Sequence, residues 1–193
     1  MLDLGFVSAI LAEKSFNEVI EFASENEFKC VEIMCWPVGK AERRYAGVTH
    51  INVDELDDKK VAEIQEILKR NNIYISGLGY YPNPLDAYET QANYFISHIK
   101  KVIVAAAKLG VPVVNTFVGR DPKKSVEENL KKFAEVWPGI IKVAEENKVK
   151  IGITCLCGQP LRRAQRPSCL IEFQPFPRCS DELGAAGGLG QTN

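Results

Sequence analysis

Only two histidines occur in the 193 residues, and Lys+Arg 24 against Asp+Glu 25 leaves a net charge of -1. A chain so nearly neutral carries no whole-molecule field for gripping a phosphate backbone or an anionic membrane surface, so nucleic-acid and membrane roles are disfavoured. No apolar stretch reaches the roughly 18 residues that a membrane-crossing helix needs. The opening Met1-Leu2-Asp3-Leu4 lacks the basic region of a secretory signal. The expectation is a soluble cytoplasmic protein. Gly-rich phosphate loops are also missing. The turn Gly5-Phe6-Val7-Ser8-Ala9-Ile10-Leu11 has one glycine where a dinucleotide fold wants GxGxxG, and no Walker-type loop occurs.

Lysine is distributed unevenly. Residues 1–154 contain 16 Lys and 4 Arg; residues 155–193 contain no Lys and 4 Arg, with 4 of the 6 Cys, 4 of the 10 Pro and 5 of the 14 Gly. The tail lacks any long hydrophobic period and closes on Gly184-Ala185-Ala186-Gly187-Gly188-Leu189-Gly190, which has little side-chain surface to bury. Two segments are therefore expected: a folded unit over 1–154 and a poorly ordered tail over 155–193.

Upstream of the break, β-rich runs alternate with helical periods, strand first each time. Leu2 to Ser8 reads as a strand; Ser15 and Glu18 after it have the spacing of a reciprocal capping box, and Phe16, Val19, Ile20 and Ala23 share one helical face. Cys30 to Trp36 is a second strand, followed by a polar loop and a helix opened by Asp54, with Val61, Ile64, Ile67 and Leu68 inward and Asn71-Asn72 at its end. Ile73 to Leu78 is a third, and Tyr80-Tyr81-Pro82-Asn83-Pro84 leads from it into a helix of about twenty residues stopped by Gly110. Val111 to Val118 is a fourth. Its helix opens on Ser125 and Glu128 and keeps phase through Leu130, Phe133, Trp137, Ile141 and Ala144, so Pro138 predicts a kink or break. Val149 to Thr154 is a fifth. Five such strands and four helices predict an α/β fold of right-handed parallel crossovers. An open doubly wound sheet and the first part of an eight-stranded barrel both fit that order.

Alternation along each strand assigns faces. Val31, Ile33 and Cys35 should meet the helices, which sends Glu32, Met34 and Trp36 toward the interior of the sheet or barrel. Asn115 and Phe117 share that interior, as do Gly152 and Thr154 in the fifth strand. The polar ring of Glu32, Asn115 and Thr154 reads either as a structural hydrogen-bond network or as a substrate site.

The strings Val31-Glu32-Ile33-Met34-Cys35-Trp36-Pro37, Ala41-Glu42-Arg43-Arg44-Tyr45-Ala46-Gly47-Val48-Thr49-His50-Ile51 and Val114-Asn115-Thr116-Phe117-Val118-Gly119 resemble the xylose-isomerase-like sugar-phosphate isomerases and epimerases, over residues 1 to about 153. The resemblance implies a TIM barrel whose ligands for a divalent metal (Mn, Mg, Co or Zn), commonly Glu, Asp, His or Gln, and Glu, sit at the ends of the fifth to eighth strands. Such a metal polarises a carbonyl and adjacent hydroxyl of a sugar, and hydrogen moves between neighbouring carbons through an enediolate or a hydride shift. On this resemblance Glu32, Trp36, His50, Asn115 and Phe117 line the substrate side and bind a small-molecule sugar or sugar phosphate. None of them is a metal ligand, and no catalytic residue is assigned.

The chain departs from that pattern after Lys150-Ile151-Gly152-Ile153. Where the family usually places a Glu ligand it has Thr154, and a neutral hydroxyl is no substitute for a charged ligand at a hard cation. The expectation is a partial barrel, shortened or read out of frame after the fifth strand, that does not bind the metal. Two functions stay open: a sugar isomerase or epimerase, or a noncatalytic partial barrel that binds ligand weakly or self-associates through unpaired strand edges.

The remaining signals read blandly. Cys155, Cys157, Cys169 and Cys179 lack paired CxxC knuckles and read as unpaired thiols, and Cys30 and Cys35 lie on opposite strand faces. Two histidines cannot furnish the zinc cluster of the apurinic endonucleases in the same superfamily. His98, beside Lys100 and Lys101, reads as a solvated surface position, while His50 reads as a loop anchor or a substrate contact. Arg43-Arg44 and Lys123-Lys124 read as surface charges that leave the substrate's phosphorylation state open.

Overall fold

A computed structural model describes residues 3–39, 47–154 and 171–172. The first unit is β1 (Gly5–Val7), a 3-10 turn over Ser8–Leu11 and α1 (Phe16–Glu25). The strand is shorter than Leu2 to Ser8, because Ser8 turns inward and its Oγ accepts the Met34 N–H at 2.9 Å. Ser15 and Glu18 form the reciprocal box, each side chain taking the other's backbone N–H. Val19, Ile20 and Ala23 are buried on the inner face of α1.

β2 (Cys30–Met34) precedes a loop and α2 (Asp58–Asn71). The expected helix start at Asp54 is wrong. Asn52 caps a separate 3-10 turn, Val53–Glu55, and Leu56 then dips into the core. Asp57 becomes the true cap, accepting from the Lys60 N–H at 2.8 Å. Burial of one leucine thus divides what sequence spacing joined. Next come β3 (Tyr74–Gly79) and α3 (Glu89–Leu109). α3 stops at Gly110, whose φ of 72° suits a residue without a β-carbon.

β4 (Val113–Thr116) leads to α4 (Val126–Glu146), and β5 (Lys150–Ile153) follows. Of the kink or break expected at Pro138, a break does not occur: α4 continues through the proline, with Trp137, Ile140 and Ala144 burying one face on both sides of it. The packed stripe outweighs one lost hydrogen bond. A two-residue strand, β6 (Ile171–Glu172), pairs antiparallel with β5. It lies within the segment expected to be poorly ordered; the rest of that segment, its four cysteines and Arg43-Arg44 fall outside the described residues.

The sheet order is β1-β2-β3-β4-β5-β6, with β1 to β5 parallel. A doubly wound sheet reverses direction at a switch point, whereas here each parallel strand lies beside its predecessor, as in a barrel. The α/β architecture of five parallel strands and four helices is the one expected. Val31, Ile33 and Cys35 are fully buried among Val19, Ile20, Ile99 and Ile103, so they face the helices. Met34 lies on the opposite face with Ala9, Val48, Trp36 and Tyr81. No helix of the described residues is long and apolar enough to cross a membrane.

Candidate functional site

Glu32 is half-buried at the middle of β2, and register places Gly77 of β3 beside it. One strand further, Gly79 pairs with Asn115 of β4, and Asn115 pairs with Gly152 of β5. Long side chains therefore come from β2 and β4 and glycines from β3 and β5, the alternation by which a parallel barrel fills one interior layer. At each of these glycines there is no room for a side chain. A β-carbon on Gly77 would lie 2.9 Å from Asn115 Nδ2, one on Gly79 would lie 2.5 Å from Glu32 Oε1, and one on Gly152 would collide with Asn115 Oδ1.

Within this layer Asn115 Nδ2 donates to Glu32 Oε2 at 3.0 Å, and the Tyr81 hydroxyl donates to Glu32 Oε1. Phe117 packs on Tyr81 with ring centroids 4.8 Å apart. Thr154, at the end of β5, interacts with the same phenol in the sense that favours its ionised form. Burial pushes the Glu32 carboxyl above the ordinary carboxylate range, while the bonds from Tyr81 and Asn115 pull it back. Burial and the neighbouring carboxylate push the Tyr81 phenol upward as well. The arrangement is a carboxylate held by two donors and suited to accepting hydrogen bonds from a ligand.

The other expected contacts divide. Trp36 packs against the interior cluster with Met34 and Tyr81 and meets Tyr80 edge-on at 4.9 Å; its Nε1 is buried without a partner among the described residues. His50 is not joined to Glu32. The 47–51 segment returns along the end of β2, with the His50 N–H on Met34 O at 3.0 Å, and the imidazole Nε2 meets Leu11 O at 3.2 Å. His50 thus ties its loop to the turn after β1. Cys30 and Cys35 are free thiols.

His98 corrects its reading as a surface residue. It is buried on the inner face of α3, Nε2 lies 2.9 Å from Cys35 O, and the ring meets Tyr80 edge-on at 4.7 Å. The adjacent lysines suggested solvent, but its neighbours on the helix face, Ile99 and Val102, are fully buried. Sequence reasoning also missed Tyr81. Gly77, Gly79 and Tyr81 stand at alternate positions, so carrying the strand alternation through the third strand would have sent this phenol inward.

Among the described residues no three His, Cys, Asp or Glu side chains gather as a metal would need. The groups around Glu32 are a phenol, an amide and a hydroxyl, which do not match the several charged oxygen ligands of a hard cation. The described residues therefore do not fit the divalent ion that the resemblance implies.

A model of the xylose isomerase-like TIM barrel matches residues 20–169, beginning and ending later than the likeness drawn from the loop strings. No curated protein matches the chain. Among solved structures, a D-psicose 3-epimerase crystallised in the presence of D-fructose aligns at a TM-score of 0.60 and 17% identity, over 80% of this chain and 53% of its own. A D-tagatose 3-epimerase-like protein aligns at 0.59 and 23%, over 79% and 52%. The IOLI protein, with a binding zinc atom, aligns at 0.56 and 19%, over 79% and 51%. At these identities the likeness concerns the fold, and the chain spans about half the length of each. With most of its length covered by the family model and its parallel strands in barrel order, the chain belongs to the xylose isomerase-like TIM barrel family.

Proposed function

We propose that this chain is a sugar isomerase- or epimerase-type protein whose interior layer binds a small sugar, with Glu32, Asn115 and Phe117 on the substrate side and Trp36 beside them. The observation that carries the reading is the Glu32 carboxylate, held by Asn115 and Tyr81 at the interior of the barrel and cleared by glycines on either strand. A solvated carboxylate would need no such clearance. A D-psicose 3-epimerase crystallised in the presence of D-fructose and a D-tagatose 3-epimerase-like protein, which share the fold, support the choice of ligand class. His50 serves by holding the loop that carries it against the turn after β1. The reaction of this class moves hydrogen between adjacent carbons of a sugar, and the described donor set around Glu32 does not suit a metal ion.

The test is D-fructose and D-tagatose titrated against purified chain by NMR, with E32A and N115A alongside. Saturable binding lost in both variants supports the reading, and binding unchanged in E32A overturns it. Turnover is assayed separately with added Mn²⁺ and with EDTA. Ketose interconversion abolished by EDTA marks an enzyme, whereas binding without interconversion marks a noncatalytic barrel.

A second reading, self-association, is favoured by the β1 edge. Among the described residues β1 pairs with β2 alone, and Leu4 and Ile10 beside it are 68% and 58% exposed. An unpaired strand flanked by apolar side chains is a template for a second chain. Sedimentation over a concentration series tests it, and a monomer throughout would sink it.

A further inference from the structure

The Glu32 carboxylate has more acceptor capacity than the protein uses. Each ionised oxygen offers about two lone-pair directions, and each accepts one protein donor here: Tyr81 O–H at Oε1 and Asn115 Nδ2 at Oε2. The phenol that occupies Oε1 is itself over-determined. Phe117 packs against it at a tilt, Thr154 interacts with the phenol from the end of β5, and Gly79 leaves out the β-carbon that would collide with Glu32 and press on the Tyr81 ring. A side chain fixed from three directions is suited to fixing another.

We propose that Tyr81 is a positioning residue of this site, whose phenolic O–H holds Glu32 so that the two unused carboxylate lone pairs accept hydroxyl donors from adjacent carbons of a neutral sugar. The inference rests on the sugar-binding reading above and adds to it a residue and a class of recognised group. A vicinal diol supplies two donors at the spacing of two carboxylate oxygens, whereas a phosphate supplies only negative charge and would meet the carboxylate as a like charge. The groups electrostatically linked to Glu32 are Tyr81 and the buried Cys35 thiol, both pushed upward and neutral through the ordinary pH range. Asn115 does not titrate.

The experiment follows the Glu32 carboxyl carbon by ¹³C NMR across pH in wild type and Y81F, then adds D-fructose or D-fructose 6-phosphate to each. Removing a donor to the charged form should raise the Glu32 midpoint by about one unit, a tenfold gain in proton affinity. It should also weaken D-fructose binding at pH 7 by about fivefold or more, with the phosphate ester binding no better than the free sugar. If Y81F does not fold, biosynthetic 3-fluorotyrosine in the wild-type chain supplies a more acidic donor, and the midpoint should fall. A midpoint unmoved by either change overturns the proposal, as does tighter binding of the phosphate ester. A midpoint that moves while no sugar binds supports the positioning role of Tyr81 and overturns the sugar-binding reading instead.

Discussion

Gly152 of β5 faces Asn115 of β4 so closely that a β-carbon on the glycine would collide with the amide oxygen. The two are a register pair, and the amide that Gly152 accommodates is the one that reaches Glu32. G152A should therefore cost about 1–3 kcal/mol of stability, as overpacking of a filled interior does. Urea denaturation measures it. In an N115A background the same change should cost much less, and equal costs in the two backgrounds would show that the collision lies elsewhere.

Ser125 opens α4 by accepting the Glu128 N–H at 3.2 Å, while the Glu128 carboxylate takes the Ser125 N–H at 2.9 Å. S125A removes half of that exchange on an exposed helix start. A loss of about 1 kcal/mol in thermal or urea unfolding is expected. A loss above about 3 kcal/mol would mean that the hydroxyl has a further role.

Burial holds the His98 imidazole below its ordinary 6.5, against a smaller opposing effect of the Cys35 carbonyl, and burial lowers His50 in the same sense. As pH falls through 6.5, the unfolded chain takes up these protons first, so each histidine contributes stability that is present above 6.5 and lost on acidification. Glu32 has the opposite sign, because a raised carboxyl contributes stability that is full below 4.5 and lost as pH rises. The histidine effect is best isolated by comparison. From pH 7.5 to 5.5 wild type should lose more stability than H98Q, by up to about 1.4 kcal/mol per pH unit. Parallel curves would refute the assignment.

Leu4 precedes the β1 edge and is 68% exposed. A lysine beside an unpaired strand discourages pairing with another chain. L4K should shift the sedimentation profile toward monomer without changing the unfolding free energy by more than about 0.5 kcal/mol, as expected for a surface change. An unchanged association constant would place the contact away from this edge.

Much of this molecule was legible from local pattern. Both capping boxes, the Gly110 stop and the division of β2 into a helix-facing set and an interior set depend on neighbours a few residues apart, and the structure has them as read. Errors arose where a distant partner decided. Leu56 found the core and cut the helix expected from Asp54. The lysines near His98 pointed to solvent, whereas the Cys35 carbonyl and the Tyr80 ring enclose it.

The amino-acid order was enough for the strand and helix series and for the side of the sheet on which Glu32 and Asn115 stand, because period-2 and period-3.6 patterns are properties of one segment. Only the three-dimensional arrangement decided that Tyr81 donates to Glu32, that Gly77, Gly79 and Gly152 are the spaces those long side chains fill, and that His50 turns to Leu11 instead. These outcomes depend on the register between neighbouring strands and on the return path of a loop. A shift of one residue would carry each side chain to the other face, and no single segment encodes that choice.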